Sequence, residues 1–224
     1  VVMVFNGEIY NYRELRDELV ALGFAFRTKS DTEVLLHAYQ AWGQDCLQRL
    51  RGMFAFAIWD RKKQTLFLAR DHLGVKPMFY ALLPNGLFVF GSELKSIMTH
   101  PELSRKLNPR AVEDYFAFGY VPEPHTIFHG AYKLAPGHRI TLRAGDTVVQ
   151  PEQYWDIPFQ RAPQRPMQEI EQELTARLQE CVQSQMVADV PLGAFLSGGV
   201  DSSAVVAMMA QQNPDSVVTC SIGF

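Results

Sequence analysis

Three prolines within ten residues set the first limit on this chain. Pro158, Pro163 and Pro166 fall in Ile157–Pro166, where neither a helical nor a strand period appears. Proline fixes φ and lacks an N–H, so no regular element runs through such a stretch. It reads as a linker, 157–166, between a unit of residues 1–156 and one of residues 167–224. With 47% apolar residues and 20% charged ones in 224 residues, the chain can bury a sizeable core.

Before the linker the signals alternate between helix and strand. Val1–Phe5 reads as a buried strand, and Asn11 with Glu14 has capping-box spacing for a helix faced by Leu15, Leu19 and Leu22 and ended by Gly23. Phe24 and Phe26 begin a short strand. Ser30 and Glu33 repeat the capping-box spacing before a second helix that stops at Gly43. The period then falls to two: Met53–Trp59, Thr65–Ala69, Met78–Leu82 and Leu87–Phe90 are predicted strands, with Asn85-Gly86 as a hairpin turn. Asn108-Pro109 opens another helix, and His138–Leu142 with Thr147–Gln150 forms a hairpin around Gly145-Asp146. These signals predict an α+β unit built largely on antiparallel sheet.

After the linker, Ile170, Leu174, Leu178 and Val182 recur every four residues along a long amphipathic helix. Strand Val190–Leu196, a glycine loop, helix Ser203–Gln211 and strand Val217–Ile222 follow. That order is a βαβ unit, which implies a parallel sheet. Both ends of the chain fall inside strands, which reads as an excerpt of a longer protein.

Composition excludes several functions. A net charge of -3 with scattered basic residues gives no field for nucleic acid or an anionic membrane. The longest apolar runs fall far short of the roughly 20 residues a spanning helix needs. Cys46, Cys181 and Cys220 share no close spacing and read as buried thiols in a reducing, cytoplasmic setting. The six histidines show no H-E-x-x-H motif, and a zinc site is not expected.

The loop Ser197-Gly198-Gly199-Val200-Asp201-Ser202-Ser203 carries chemistry. Its glycines let backbone approach a ligand, the following helix start presents N–H groups and a dipole to anions, and three serines add hydroxyl donors. Asp201 would repel phosphate unless Mg²⁺ lay between them. Neither a Walker lysine nor G-x-G-x-x-G is present. A ligand-free strand–helix turn is the plain alternative.

This stretch resembles the pyrophosphate loop of the ATP-pyrophosphatases, a group that includes asparagine, argininosuccinate and GMP synthetases. Asp189–Leu196 narrows the resemblance to the glutamine-hydrolysing asparagine synthetases. The resemblance implies that Leu196 and Ile222 contact the nucleotide beside Ser197, Gly198, Gly199, Val200, Asp201, Ser202 and Ser203. It also implies that Asp201 meets Mg²⁺ through pyrophosphate. The implied reaction is attack of a carboxylate on ATP, giving an acyl-adenylate that ammonia converts to an amide.

In the first unit, Asn6-Gly7 reads as a tight turn that could aim a side-chain amide and a backbone N–H at one point, as an oxyanion requires; an ordinary turn is the alternative. Asp31 opens a helix and reads alone as its cap. Together with Gly52–Ala57, Arg70–Pro77 and Gly91–Lys95, these residues resemble the glutaminase domain of class II amidotransferases, which are N-terminal-nucleophile hydrolases. The resemblance implies an oxyanion hole at Asn6 and Gly7, Glu8 in the glutamine pocket, and Asp31 on the substrate α-ammonium. Arg70-Asp71 and Ser92-Glu93 are expected to shape the site. The family nucleophile is an N-terminal cysteine, whereas residue 1 is Val, so the first part of the domain is read as missing and the chain as given is expected not to hydrolyse glutamine.

The expected substrates are glutamine, ATP and a carboxylic acid such as aspartate, and a homodimer is compatible with the resemblance. Tyr115–Pro124 resembles asparagine-synthetase-like proteins of exopolysaccharide and protein-sorting loci, which leaves the acceptor acid open. A β-lactam synthetase and a non-catalytic or ammonia-only homologue are the remaining alternatives.

Overall fold

Alternating side-chain size organises the first unit of the computed structural model, which describes residues 1–160, 163–188, 190–212 and 217–223. The unit spans Val1–Pro158. Its elements are β1 (Val2–Ile9), α1 (Tyr12–Ala21), α2 (Asp31–Trp42), a 3₁₀ turn at Gly43–Gln48, β2 (Gly52–Asp60), β3 (Thr65–Arg70), β4 (Phe79–Leu82), β5 (Phe88–Gly91), α3 (Leu94–Ile97), α4 (Pro109–Phe118), β6 (Tyr132–Lys133), β7 (His138–Arg143) and β8 (Glu152–Gln153). Five strands pair antiparallel in the order β1-β2-β3-β7-β8, and three more in the order β5-β4-β6.

Along β2, Phe54, Phe56 and Ile58 pack beneath Leu15 and Leu19 of α1 and Val34, Leu35 and Ala38 of α2. Each of the larger ones among these, the Phe, Ile, Leu and Val side chains, contributes about 1.5–3 kcal/mol. Ala55 and Ala57 face the other way, toward Met78, Tyr80 and Leu134. A third cluster, Ala81, Leu83, Ile97 and Leu103, covers the far side of the small sheet. The layers are helices, large sheet, small sheet and α3 with its neighbouring loop. Small residues on the inner face of β2 leave room between the sheets, and Asn6 lines the cavity there.

Several expectations change. Asn6-Gly7 is no turn: the strand continues through it, pairing Asn6 with Ala55, Gly7 with Phe54 and Ile9 with Gly52. Gly7 has φ +155°, and a Cβ there would lie 2.1 Å from the Met53 carbonyl oxygen and 2.8 Å from Phe54 Cα. The glycine serves close strand approach rather than chain reversal. Gly7→Ala is therefore expected to destabilise the unit by roughly 3 kcal/mol, read as a lower urea midpoint; an unchanged midpoint would contradict the packing.

The first strand is not buried either. It forms one edge of the large sheet among the described residues, and Val2 and Val4 remain 50% and 56% exposed on the face away from the helices. Asn11 does not cap α1 with its side chain. Its amide donates to the Arg49 carbonyl and accepts from the Arg51 N–H, both at 2.9 Å, tying the start of α1 to the approach to β2.

Phe24 and Phe26 form no strand, because the local donors are engaged elsewhere. The Phe24 N–H reaches the Leu19 carbonyl, and those of Arg27 and Thr28 reach the Glu33 carboxylate. Thr147–Gln150 is likewise not the return strand. Asp146 accepts the Arg143 N–H at 2.7 Å, Val149 packs on the inter-sheet cluster, and pairing resumes at Glu152–Gln153.

The second unit, Phe159–Phe224, contains α5 (Met167–Gln185), β9 (Gly193–Phe195), α6 (Val200–Gln212) and β10 (Val218–Cys220). Strands β9 and β10 pair in parallel with α6 between them, the expected βαβ unit. Helix α6 begins three residues earlier than Ser203, drawing Val200, Asp201 and Ser202 into its first turn, and both strands are shorter than expected. Asp189, within the motif before the loop, and Pro214, within the predicted α6–β10 connection, lie outside the described residues. Of the cysteines only Cys46 is buried, with its thiol pushed up to about 12 by burial; Cys181 and Cys220 are exposed.

Candidate active sites

The C-terminal half of β1 gathers the four residues singled out for glutamine. Alternation puts the Asn6 side chain on the inter-sheet face, where it helps line a cavity of about 260 Å³ with Val4, Ala55, Met78, Phe90 and Ser92. Its amide nitrogen stands 3.5 Å from the Ser92 hydroxyl oxygen, a contact too long to hold it firmly. Glu8 shares that face two residues on and is exposed. Burial foremost, and then the Glu8 carboxylate, push the pKa of the Tyr10 hydroxyl above the ordinary value.

Gly7 is placed by its backbone. The Tyr10 N–H turns toward β2, reaching the Arg51 carbonyl, whereas the Ile9 N–H turns away and donates to Asp31 Oδ2 at 3.0 Å. Phe54, opposite Gly7, spends its own N–H and carbonyl on Asp71. Strand alternation therefore aims the Gly7 N–H out of the same free edge as that of Ile9. Asp31, at the start of α2, stands beside that edge. Its Oδ1 accepts from the Ser30 and Thr32 hydroxyls, each at 3.3 Å. Ser30, not Asp31, caps the helix, accepting the Thr32 N–H at 3.1 Å.

Arg70 and Asp71 brace this edge from behind. The buried Arg70 guanidinium donates to the carbonyls of Lys76, Leu134 and Gly74 and to Glu123 Oε1, at 2.6–2.8 Å. Asp71 accepts the N–H groups of Phe54, Leu73, Val75 and Lys76. Both side chains shape a loop and face no cavity at Asn6. His72 is pressed between Phe54, Tyr154 and Trp155 rings, and burial holds its proton affinity low.

In the second unit, the glycine loop joins the C-terminal end of β9 to α6. Gly198 has φ +82°, which a glycine adopts freely. The Ser197 and Ser202 hydroxyls lie 3.0 Å apart, Ser202 donates to the Gly199 carbonyl at 3.2 Å, and the Ser203 N–H reaches the same carbonyl at 3.1 Å. Leu196 donates to the Cys220 carbonyl and its own carbonyl accepts the Ser221 hydroxyl, so Leu196 and Ile222 sit together at the C-terminal ends of the parallel pair. Asp201, Val200, Ser203 and Ile222 are exposed. Ligands of open parallel sheets bind at that end of the strands.

Comparison with known proteins meets this geometry at both places. Residues 1–155 match the glutamine amidotransferase domain, and residues 173–224 match asparagine synthase. The chain belongs to the glutamine-hydrolysing asparagine synthetase family. Asparagine synthetase [glutamine-hydrolyzing] 3 of Bacillus subtilis is 40% identical over 209 residues, covering 93% of this chain and 33% of that protein. A putative asparagine synthetase of Mycobacterium bovis is 43% identical, covering 100% of this chain and 35% of its own length. A second putative synthetase, from Methanocaldococcus jannaschii, is 40% identical over 100% of this chain and 43% of that protein. The chain thus spans between a third and a half of the length of these relatives. Its α+β antiparallel unit is the part that matches the glutamine amidotransferase domain, and its βαβ unit falls in the part that matches asparagine synthase.

Glu33 is the family-site neighbour that sequence reasoning placed wrongly. Capping-box spacing sent its carboxylate back to Ser30; the structure sends it to Arg27 and Thr28. These bonds, those of Thr28 foremost, hold Glu33 down at about 2 against an ordinary 4.5. A folded value below the unfolded one means stability present above pH 4.5 and lost as the pH falls toward 2. Between about pH 5.5 and about pH 3, the native chain is expected to lose more of its urea midpoint than Glu33→Gln; equal losses would contradict the bonding.

Proposed function

We propose that the complete protein makes an amide from a carboxylic acid, taking nitrogen from glutamine and energy from ATP. In this reading residues 1–156 form the glutaminase domain, 157–166 the linker, and the part from 167 onward belongs to the ATP-pyrophosphatase domain. The observation that carries it is the joining of two sites in one chain: an edge where Asn6, the Gly7 N–H and Asp31 converge, and a glycine loop at the end of a parallel strand pair.

At the first site Asp31 receives the α-ammonium of glutamine and Glu8 borders its pocket. The Asn6 amide and Gly7 N–H take the oxygen of the side-chain carboxamide as it becomes an oxyanion. The strand fixes the Gly7 N–H before substrate arrives, which is what makes such a donor effective. Within the first unit the one cysteine, Cys46, is buried in the core and does not stand at this edge.

At the second site the carboxylate oxygen of the acceptor attacks the α-phosphorus of ATP, and the bond to the β-phosphate oxygen breaks. Acyl-adenylate and pyrophosphate result. Ammonia then attacks the acyl carbon, AMP leaves and the amide remains. Backbone N–H groups and hydroxyls of Ser197, Ser202 and Ser203 hold the pyrophosphate, while Leu196 and Ile222 flank the base. Magnesium fits this loop through the nucleotide rather than through a protein cage: Asp201 is one exposed carboxylate, and no cluster of three metal-binding side chains occurs among the described residues. Bound there, Mg²⁺ would neutralise charge on the leaving pyrophosphate.

Aspartate is the acceptor favoured by the names of the relatives, and the unpaired cysteines suit a cytoplasmic setting. No described helix is long and apolar enough to cross a membrane. Incubating the full-length protein with ATP, Mg²⁺, glutamine and a panel of acids should yield AMP only when the true acceptor is present. ADP formation, or AMP independent of any acid, would overturn the reading.

A further inference from the structure

We propose that Glu33 is a positioning residue that sets glutamine affinity by fixing where Asp31 stands. The inference rests on the reading that Asp31 receives the substrate α-ammonium.

The argument begins with the segment that feeds α2. Residues 24–30 make no regular element, so nothing in a ladder fixes where α2 starts. Glu33, in the first turn of the helix, supplies the missing constraint. Its Oε1 accepts the Arg27 N–H at 2.8 Å, and its Oε2 accepts the Thr28 N–H and the Thr28 hydroxyl, each at 2.6 Å. The Thr28 hydroxyl oxygen in turn accepts the Ser30 N–H at 3.2 Å. Ser30 then holds the Thr32 N–H and donates to Asp31 Oδ1. Asp31 Oδ2 completes the path at the Ile9 N–H, beside Gly7.

The surroundings hold Glu33 as well. His37 Nε2 lies 3.7 Å from Glu33 Oε1, and the His37 ring is packed against Phe24 and Phe26. Arg16 covers the Phe26 ring at 4.4 Å and donates to the Thr28 carbonyl at 2.7 Å. Only a carboxylate can accept on both oxygens at once. A glutamine would turn its NH₂ toward one N–H, and that conflict would be relieved by moving the segment to which Ser30 and Asp31 belong.

The test uses the full-length protein, with glutamine and with its analogue lacking the α-amino group, 4-carbamoylbutanoate. Glu33→Gln is expected to raise KM for glutamine about tenfold with kcat within about twofold. KM for the analogue should not change, and ammonium-dependent synthesis should match the native rate, which shows the variant folded. Adding Glu33→Gln to Asp31→Asn should raise KM no further. Thr28→Ala, which cuts the path beyond Glu33, should move KM for glutamine in the same direction.

If Glu33→Gln raises KM equally for glutamine and the analogue, or lowers kcat alone, the inference is overturned. An Asp31→Asn variant with raised KM beside a Glu33→Gln variant with native KM also overturns it, while leaving the Asp31 reading intact. Native KM in Asp31→Asn removes that reading and the inference together.

Discussion

Replacing Asn6 by alanine in the full-length protein is expected to lower kcat for glutamine hydrolysis by a factor of about 10²–10³, roughly 3–4 kcal/mol of transition-state stabilisation. The expectation follows from what Asn6 lacks as much as from what it offers. Its side chain lines the inter-sheet cavity and, among the described residues, makes one long contact, to the Ser92 hydroxyl at 3.5 Å, so little folding energy depends on it. KM should change little, because the amide engages charge that appears only as the carboxamide carbon becomes tetrahedral. Ammonium-dependent synthesis should be untouched. A variant that loses KM and retains kcat would place Asn6 in substrate binding instead.

The second large effect belongs to the other unit. Asp201→Ala is expected to abolish Mg²⁺-dependent release of AMP and pyrophosphate while leaving glutamine hydrolysis in place. Asp201 is exposed in the first turn of α6, and the bonds that shape the loop run through Ser197, Gly199, Ser202 and Ser203. Removing its carboxylate therefore leaves the loop standing. The sign of the effect is informative. A carboxylate near bare pyrophosphate is repulsive, so without an intervening cation the alanine variant would bind ATP more tightly. Retained pyrophosphate release, or tighter ATP binding without magnesium, would remove Asp201 from this role.

Much of the fold was legible because period and punctuation agree. The strands at Met53–Trp59 and Thr65–Ala69, the second helix ending at Gly43, the Asn85-Gly86 turn and the βαβ order all follow from alternation, four-residue recurrence and glycine. Where legibility failed, one signal had two physical causes. Asn-Gly marks a turn when glycine supplies a left-handed φ, but at Gly7 it marks a place where two strands come too close for a Cβ. Phe24 and Phe26 alternate as strand residues do, yet their neighbours' donors are captured by Glu33. Capping-box spacing at Ser30 and Glu33 was half right: Ser30 caps, and Glu33 reaches further back.

The sites divide in the same way. Asn6, Gly7, Glu8 and Asp31 lie together because β1 and the start of α2 meet at the Ile9 N–H, a contact across 22 positions that no local pattern encodes. The loop at Ser197–Ser203 was legible as a candidate anion site from its own residues, since glycines, hydroxyls and a helix start are all local. Helix α6 beginning at Val200 sharpens that view by placing Asp201 within the first turn.

Transfer of label tests the central claim most directly. The full-length protein is given glutamine carrying ¹⁵N in its side-chain amide, with ATP, Mg²⁺, aspartate and unlabelled ammonium below the level that supports synthesis alone. The account predicts ¹⁵N in the side-chain amide of newly formed asparagine, with one AMP and one pyrophosphate for each labelled product. AMP released with no label entering any amide, across aspartate and the other acids of the panel, would contradict it.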